Sequence, residues 1–260
     1  MEQIEEAVRC ALDPTGNQTV KAQAMEYCEH VKSSPDGWQV CLQLFTKVPA
    51  SSPEARLFAL QTIESMIVGV GISASTSEAA ANLSAVRQSL LQFVSEQYTG
   101  EKYSSEVGFL KNKLAHAITL LALATYPNHW PTFITDMVAM TGFPAATGAV
   151  TAESAKAVNA QAVDPSMVDF VIKVLGSLDE EMVNPVVPRG KEEVARNTLI
   201  KDTMRNEDVY RMAHTWLYTL AHMSATHPAL ARGTLRLIGV YVSWIDINLI
   251  VNEAFMTLLF

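Results

Sequence analysis

Amphipathic helical stretches follow one another along this chain, and short turns rich in proline and glycine separate them. Clear examples of these turns are Asp13-Pro14, Ser33–Gly37 and Tyr126–Asn128. No stretch shows a convincing two-residue alternation of apolar and polar side chains, which is the pattern of a half-buried strand. The sequence therefore predicts an all-α fold.

Helix pairs recur about every 30–60 residues, a spacing typical of helical repeat proteins. In such proteins each pair buries its apolar face only by stacking on the next pair. We predict an α-solenoid of HEAT-type antiparallel helix pairs that forms a segment of a right-handed superhelix. A large helical bundle is the alternative interpretation.

Turn and capping signals predict where the helices begin and end. Ser52 before Pro53, and Asp164 before Pro165, each combine an N-cap residue with proline at the first helical position. The predicted helices cover residues 1–12, 19–32, 38–48, 53–68, 82–98, 105–125, 130–140, 165–178 and 192–205, then a longer helix to 227 and a last one over 228–243. We expect loops around Gly69 and Gly71, including the Ser/Ala tract 73–81.

The domain prediction is a single HEAT-repeat segment over residues 1–260. Residues 142–163 are rich in alanine, threonine and serine, and we predict a loop insertion there with at most one helical turn. The apolar stretch 247–260 has no C-cap signal. That ending predicts that the segment is the N-terminal piece of a longer solenoid.

Composition limits the classes of function. A hydrophobic fraction of 49% excludes global disorder, and a net charge of −8 argues against a uniformly basic nucleic-acid domain. Residues 189–205 nevertheless hold five basic and three acidic side chains. The three widely spaced cysteines predict a reducing compartment, and the apolar stretch around 114–124 is too short to cross a membrane.

Catalytic and metal-binding motifs receive little support. Gly69-Val70-Gly71 lacks the third glycine of a dinucleotide loop and follows a predicted helix instead of a strand. His214, His222 and His227 lie on neighbouring helical turns without a cysteine or carboxylate to complete a zinc site. We expect no enzymatic activity, no catalytic residue, no metal and no cofactor. The four tryptophans are interpreted as core anchors.

Residues 192–205 are predicted to form one helix, with Glu192 and Glu193 in its first turn and Lys201 and Arg205 in its last. At 100° per residue, Asn197, Lys201 and Arg205 lie on one line, and much of the opposite side is formed by Ala195, Leu199, Ile200 and Thr203. This basic line suits phosphate oxygens or an acidic protein surface. The alternative is that Lys201 and Arg205 pair with acidic residues of the adjacent helix and hold the stack together.

Four stretches resemble the exportin-T family, the tRNA export receptors of the importin-β (karyopherin) superfamily. They are SPDGWQVC (34–41), FLKNKLAHAITLL (109–121) with the following HW (129–130), ARNTLIKDTMR (195–205) and VYVSWIDINLI (240–250). They occur in the family's order across most of the chain. The resemblance implies a HEAT-repeat superhelix that binds tRNA together with the small GTPase Ran in its GTP form, passes FG-repeat proteins of the nuclear pore, and shuttles between nucleus and cytoplasm. GTP is then bound by Ran and not by this chain.

The resemblance places Ran at the N-terminal repeats of this superfamily. Lys111, Asn112 and Lys113 open a strongly apolar predicted helix there. We predict that they contact an acidic surface of Ran, and that Asn197, Lys201 and Arg205 contact tRNA or Ran. A solvated helix start is the alternative for the first set. For the whole chain, a HEAT-type scaffold or protein-cargo carrier that binds no RNA, and an enzyme-regulating adaptor, are the alternative functions.

Overall fold

The computed structural model describes residues 1–71, 76–156, 158, 163–184, 186 and 188–259. These residues contain α-helices, one π-helical segment and one 3-10 turn, and no strand occurs among them. The all-α prediction is confirmed. The chain divides into two compact units, one of Met1–Glu96 with Ser105–Ala124 and one of Gln97–Ser104 with Thr125–Phe260.

The first unit is built from sequence-adjacent helix pairs. Its helices are α1 (Glu2–Leu12), α2 (Gln18–Ser33), α3 (Gly37–Thr46), α4 (Pro53–Gly71), α5 (Ser77–Gln97) and α7 (Gly108–Thr125). The pair α1 and α2 and the pair α3 and α4 pack most extensively, and α1 also contacts α4. The Ser52 hydroxyl accepts from the Ala55 amide at 3.2 Å, as the predicted N-cap requires.

The second unit begins with the short helix α6 (Gly100–Ser105). It continues with α8 (Phe133–Thr141), α9 (Ala152–Lys156), α10 (Pro165–Val183), α11 (Lys191–Thr203), α12 (Val209–Met223), α13 (Pro228–Tyr241) and α14 (Glu253–Leu259). Helix α13 packs against both α10 and α12. The predicted cap of α10 is present, because the Asp164 carboxylate accepts from the Ser166 amide at 2.8 Å. All four tryptophans are buried, as expected of core anchors.

Several predicted boundaries are wrong. The loop expected from Gly69 is helical through Gly71, and α5 begins at Ser77, five residues before Asn82. The Ser/Ala tract carries Glu78 in the first turn and then alanines, which are strong helix formers, so its small side chains favour helix and not loop. The remaining residues of that expected loop, 72–75, lie outside the described part of the chain.

The stretch predicted as one helix over 105–125 is divided. Helix α7 begins at Gly108, and at 18 residues it is shorter than α5 with 21. The break occurs because the Glu106 carboxylate turns back to accept from the Val107 amide and from Arg56. Within the expected insertion 142–163, the described residues include one short helix, α9.

The basic helix continues further than predicted. Helix α11 passes into a π-helical segment, Met204–Asp208, and then directly into α12. The segment buries Asp208, whose carboxylate accepts from the Tyr126 hydroxyl at 2.6 Å and from Arg211 at 2.9 Å. No helix among the described residues combines the length and apolar character needed to cross a bilayer.

Candidate partner-binding surfaces

The first candidate surface lies on the first unit, around the opening turns of α7. The Lys113 ammonium pairs with the Glu64 carboxylate of α4, and His116 Nδ1 lies 2.7 Å from Glu64 Oε1. Glu64 is itself buried, so the two basic side chains are held in place by a carboxylate that water does not fully solvate. Lys113 is therefore a positioned cation at the edge of the unit.

An open hollow adjoins this cluster. It has a volume of about 410 Å³ and is lined by Leu57, Phe109, Asn112, Lys113 and His116. Phe109 is 47% exposed, and Asn112 is also exposed. Lys111 is partly exposed and directly precedes Asn112 in the sequence, but it does not line the hollow. The hollow can accept an apolar side chain while the basic residues at its rim attract an acidic partner.

The second candidate surface, on α11, differs from the prediction. Asn197 is only 3% exposed, so its place on a partner-facing stripe is wrong. Its Nδ2 donates to the Met182 carbonyl oxygen at 3.4 Å, and its Oδ1 accepts from Nε and Nη2 of Arg196, both at 3.1 Å. The predicted apolar side is also largely wrong, because Leu199 is exposed and only Ile200 of that set is buried.

The buried amide has a structural reason. The last carbonyl groups of a helix lack partners within the helix, and side chains commonly supply them. At the end of α10, Arg189 donates to the carbonyl oxygens of Glu180, Glu181 and Asn184 at 3.1, 2.9 and 2.6 Å. Asn197 serves Met182 in the same way. These side chains attach α11 to the end of α10.

Arg205 is also engaged inside the unit. Its Nε donates to the Trp244 carbonyl oxygen at 2.6 Å, its Nη1 donates to Asp202 at 2.5 Å, and its guanidinium lies 5.7 Å from the Trp244 ring centre. The acidic partner of Arg205 is Asp202, three residues earlier, and not a residue of the adjacent helix, but the bond to the Trp244 carbonyl does tie this segment to the chain after α13. Lys201 forms no hydrogen bond or ion pair with a described residue.

We expect replacement of Asn197 by alanine to lower the free energy of unfolding of the second unit by about 1–3 kcal/mol, because the Met182 carbonyl then lacks its donor. Urea denaturation measures the change, and hydrogen exchange localises it to the end of α10. Asn112→Ala, at an exposed asparagine, is the matched control and should change stability by less than about 0.5 kcal/mol. An Asn197→Ala protein as stable as that control contradicts the capping role.

Two of the three histidines considered as metal ligands, His214 and His227, have separate surroundings. His214 is buried with its Nε2 3.3 Å from the Gly148 carbonyl oxygen, and burial lowers its pKa. His227 Nδ1 lies 2.9 Å from the Thr226 hydroxyl. Across the described ranges, no group of three or more histidine, cysteine or acidic side chains is arranged to hold a metal ion.

Comparison with known proteins identifies the family. The family model described as Exportin 1-like protein matches residues 107–260, from the residue before α7 to the last residue of the sequence. The chain belongs to the exportin 1-like family. The resemblance stated from the sequence and the HEAT-type interpretation of the helix pairs are therefore confirmed.

Curated relatives agree with the exportin 1-like assignment. The chain is 31% identical over 258 residues to Exportin-T of Podospora anserina, which is 99% of this chain and 23% of that protein. It is 32% identical over 259 residues to Exportin-T of Aspergillus niger, which is all of this chain and 23% of the relative. This exportin 1-like chain thus spans about 23% of the length of these relatives.

Two of the stretches that carried the resemblance meet in the structure. Arg205 ends ARNTLIKDTMR and Trp244 lies within VYVSWIDINLI. The hydrogen bond and ring contact between them join the π-helical segment after α11 to the turn after α13. Sequence reasoning missed this contact because the partners are 39 residues apart. In this exportin 1-like chain, two residues from family-like stretches therefore contact each other inside the second unit.

Proposed function

We propose that this chain is the N-terminal HEAT-repeat segment of a nuclear export receptor that binds tRNA together with Ran-GTP and carries it through the nuclear pore. The observation that carries the proposal is similarity to proteins named Exportin-T over 98–100% of the chain. In this proposal the chain shuttles between nucleus and cytoplasm and contacts FG-repeat proteins of the pore. It has no catalytic step and no cofactor, since GTP belongs to Ran.

The hollow beside α7 is the proposed Ran surface. Phe109 supplies exposed apolar area, Asn112 an uncharged amide and Lys113 an ammonium that is paired with Glu64. Lys111, which precedes Asn112 in the chain and is partly exposed, adds the further positive charge of this proposal.

In and directly after α11 the proposed contact with tRNA phosphate or Ran is made by Lys201 and Arg205, because Asn197 is buried whereas 41% of the Arg205 side chain is exposed. These cations contribute sequence-independent phosphate contacts, which suit a carrier of many tRNAs.

The test is a pull-down of the chain, and in parallel of the intact gene product, with Ran loaded with GTP or GDP, with and without tRNA. We expect retention of Ran-GTP but not Ran-GDP, and tRNA affinity that appears with Ran-GTP and falls as salt rises. Binding of Ran regardless of nucleotide, or of no Ran and no tRNA by the intact product, contradicts the proposal. The latter result is what a scaffold or protein-cargo carrier predicts.

Lys111→Glu should weaken Ran-GTP binding several-fold at low salt, and the loss should shrink at high salt because screening reduces charge attraction. Titration of labelled Ran at two salt concentrations measures the effect, with Lys21→Glu on α2 as the control. Lys113 should be changed to Gln, since Lys113→Glu would bring a second carboxylate against the buried Glu64 and destabilise the unit. Lys111→Glu with wild-type Ran affinity at low salt removes this surface from the proposal.

A further inference from the structure

A groove runs between α10 and α13 on the second unit. Its volume is about 650 Å³, and both helices contribute to its walls. The helices run in the same direction, because Gly233 lies against Ile172 and Tyr241, later in α13, donates to the carbonyl of Leu175, later in α10, at 2.9 Å. The fold leaves this groove open to solvent.

Glycines keep the groove open. Gly176 and Gly239 lie inside helices, where glycine is unfavourable, and both line the groove. A Cβ at either position would meet nothing within 4 Å. Packing explains Gly233, whose Cβ would lie 3.4 Å from Ile172, but it does not explain the other two. Their effect is to leave room for side chains that do not belong to this unit.

Two arginines follow the groove on the exposed face of α13. Arg236 lines it and Arg232 lies one turn earlier, so like charges are spaced at i and i+4, which disfavours an isolated helix. Neither forms a hydrogen bond or ion pair with any residue in the described part of the chain. Val240, 44% exposed, continues the same face as an apolar contact. An acidic partner would compensate these charges.

The other end of the groove is acidic. Asp179, with 8% exposure, and the exposed Glu180 lie there. A nucleic acid placed along the groove would bring phosphates against these carboxylates, so the charge pattern disfavours a polyanion. The groove also has an apolar lining that includes Ile172, Leu237 and Val240. A peptide that is acidic at one end and apolar after it therefore matches the arginines first and this apolar lining next.

We propose that the α10–α13 groove binds an amphipathic peptide segment of a protein partner, with its carboxylates on Arg232 and Arg236 and its apolar side chains above Gly176 and Gly239. The two arginines are four residues apart, about 6 Å along the helix axis. Glutamates at i and i+4 of a helical peptide have the same spacing. The groove is lined by none of the residues proposed for Ran or tRNA contact, although the charge of Lys201 reaches Asp179 at its acidic end.

The probe is a fluorescein-labelled 14-residue helical peptide with a leucine stripe, two glutamates at i and i+4 in its first half and two lysines at its end. Two further versions replace the glutamates by glutamines or by lysines. We expect the glutamate version to bind the chain about fivefold to tenfold more tightly than the glutamine version, and to protect α10 and α13 from hydrogen exchange. Arg232→Glu with Arg236→Glu should reverse the preference toward the lysine version.

Two controls separate binding from folding. Lys21→Glu with Lys191→Glu makes the same change in net charge away from the groove and should leave the preference unchanged. Gly176→Leu should fill the groove and abolish binding while the melting temperature stays at or above that of the wild type.

The proposal is overturned by equal binding of the glutamate and glutamine versions or by normal binding to the Gly176→Leu protein. It is also overturned if a 14-nucleotide RNA binds the groove in place of the peptides. The proposal is overturned as well if an uncharged FG-repeat peptide binds as tightly as the glutamate version and the arginine changes do not weaken that binding.

Discussion

Replacing Arg56 by alanine is expected to lower the free energy of unfolding of the first unit by about 3–5 kcal/mol. Arg56 is 6% exposed, and its Nη1 and Nη2 donate to the two carboxylate oxygens of Glu106 at 3.0 and 2.5 Å. The guanidinium lies 5.1 Å from the Phe45 ring centre and 5.7 Å from that of Phe93. Without Arg56, the Glu106 carboxylate is nearly buried and has lost its counter-charge.

Urea denaturation followed by hydrogen exchange in α4 measures this loss. The control is Arg56→Met with Glu106→Leu, which removes both charges and should recover most of the stability, because apolar side chains of similar volume avoid the desolvation cost of the pair. A loss below about 1 kcal/mol for Arg56→Ala would show that water or another side chain solvates Glu106 after the change.

The features predicted well from sequence depend on neighbouring residues. Ser52-Pro53 and Asp164-Pro165 start helices because a side-chain oxygen and an amide two or three residues later are enough to form the cap. The same locality explains the turn at Ser34–Asp36, which separates α2 from α3. Boundaries were wrong where the decisive partner is distant, as at Glu106, whose Arg56 partner is 50 residues away.

The candidate site on α11 was also mispredicted in part because a decisive contact joins residues that are distant in the sequence. Helical spacing correctly aligns Asn197, Lys201 and Arg205, but it does not reveal which side the neighbours cover. This helix has few apolar residues to mark its buried face, and Asn197 becomes buried because the Met182 carbonyl, 15 residues earlier, and Arg196 satisfy its amide. The contribution of Lys111, Asn112 and Lys113 to partner binding stays a prediction.

Replacing Trp244 by alanine is the corresponding test of the second unit, and we expect a loss of about 3–5 kcal/mol. Trp244 is 9% exposed, and its ring centre lies 5.0 Å from that of Tyr241. The change leaves a cavity, removes the ring beneath Arg205, and takes the indole donor from the buried Asp179. Thermal and urea denaturation measure the loss, with Trp38→Phe in the first unit as a control that should leave the second unit unaffected.

Trp244→Phe isolates the hydrogen bond, because the aromatic ring is retained, and we expect it to cost about 1–3 kcal/mol at pH 7. Burial raises the pKa of Asp179, whereas the Trp244 hydrogen bond and the charge of Lys201 lower it. Without the indole N–H, that pKa should rise further above the unfolded value of about 3.9. In the folded variant Asp179 then stays protonated to a higher pH than it does in the unfolded chain. The free energy of unfolding of the variant therefore falls as the pH rises above the unfolded pKa of Asp179.

The stability deficit of Trp244→Phe should therefore be larger at pH 7 than at pH 4, and unfolding measured at both values tests the sign. A deficit that is independent of pH would mean that Asp179 keeps its charge solvated without Trp244. Trp244→Ala, unlike Trp244→Phe, removes the ring beside Arg205 and keeps only the backbone carbonyl that Arg205 donates to. If Ran-GTP and tRNA binding by Trp244→Ala stay proportional to the folded fraction, the ring contact with Arg205 supports the fold and not partner binding.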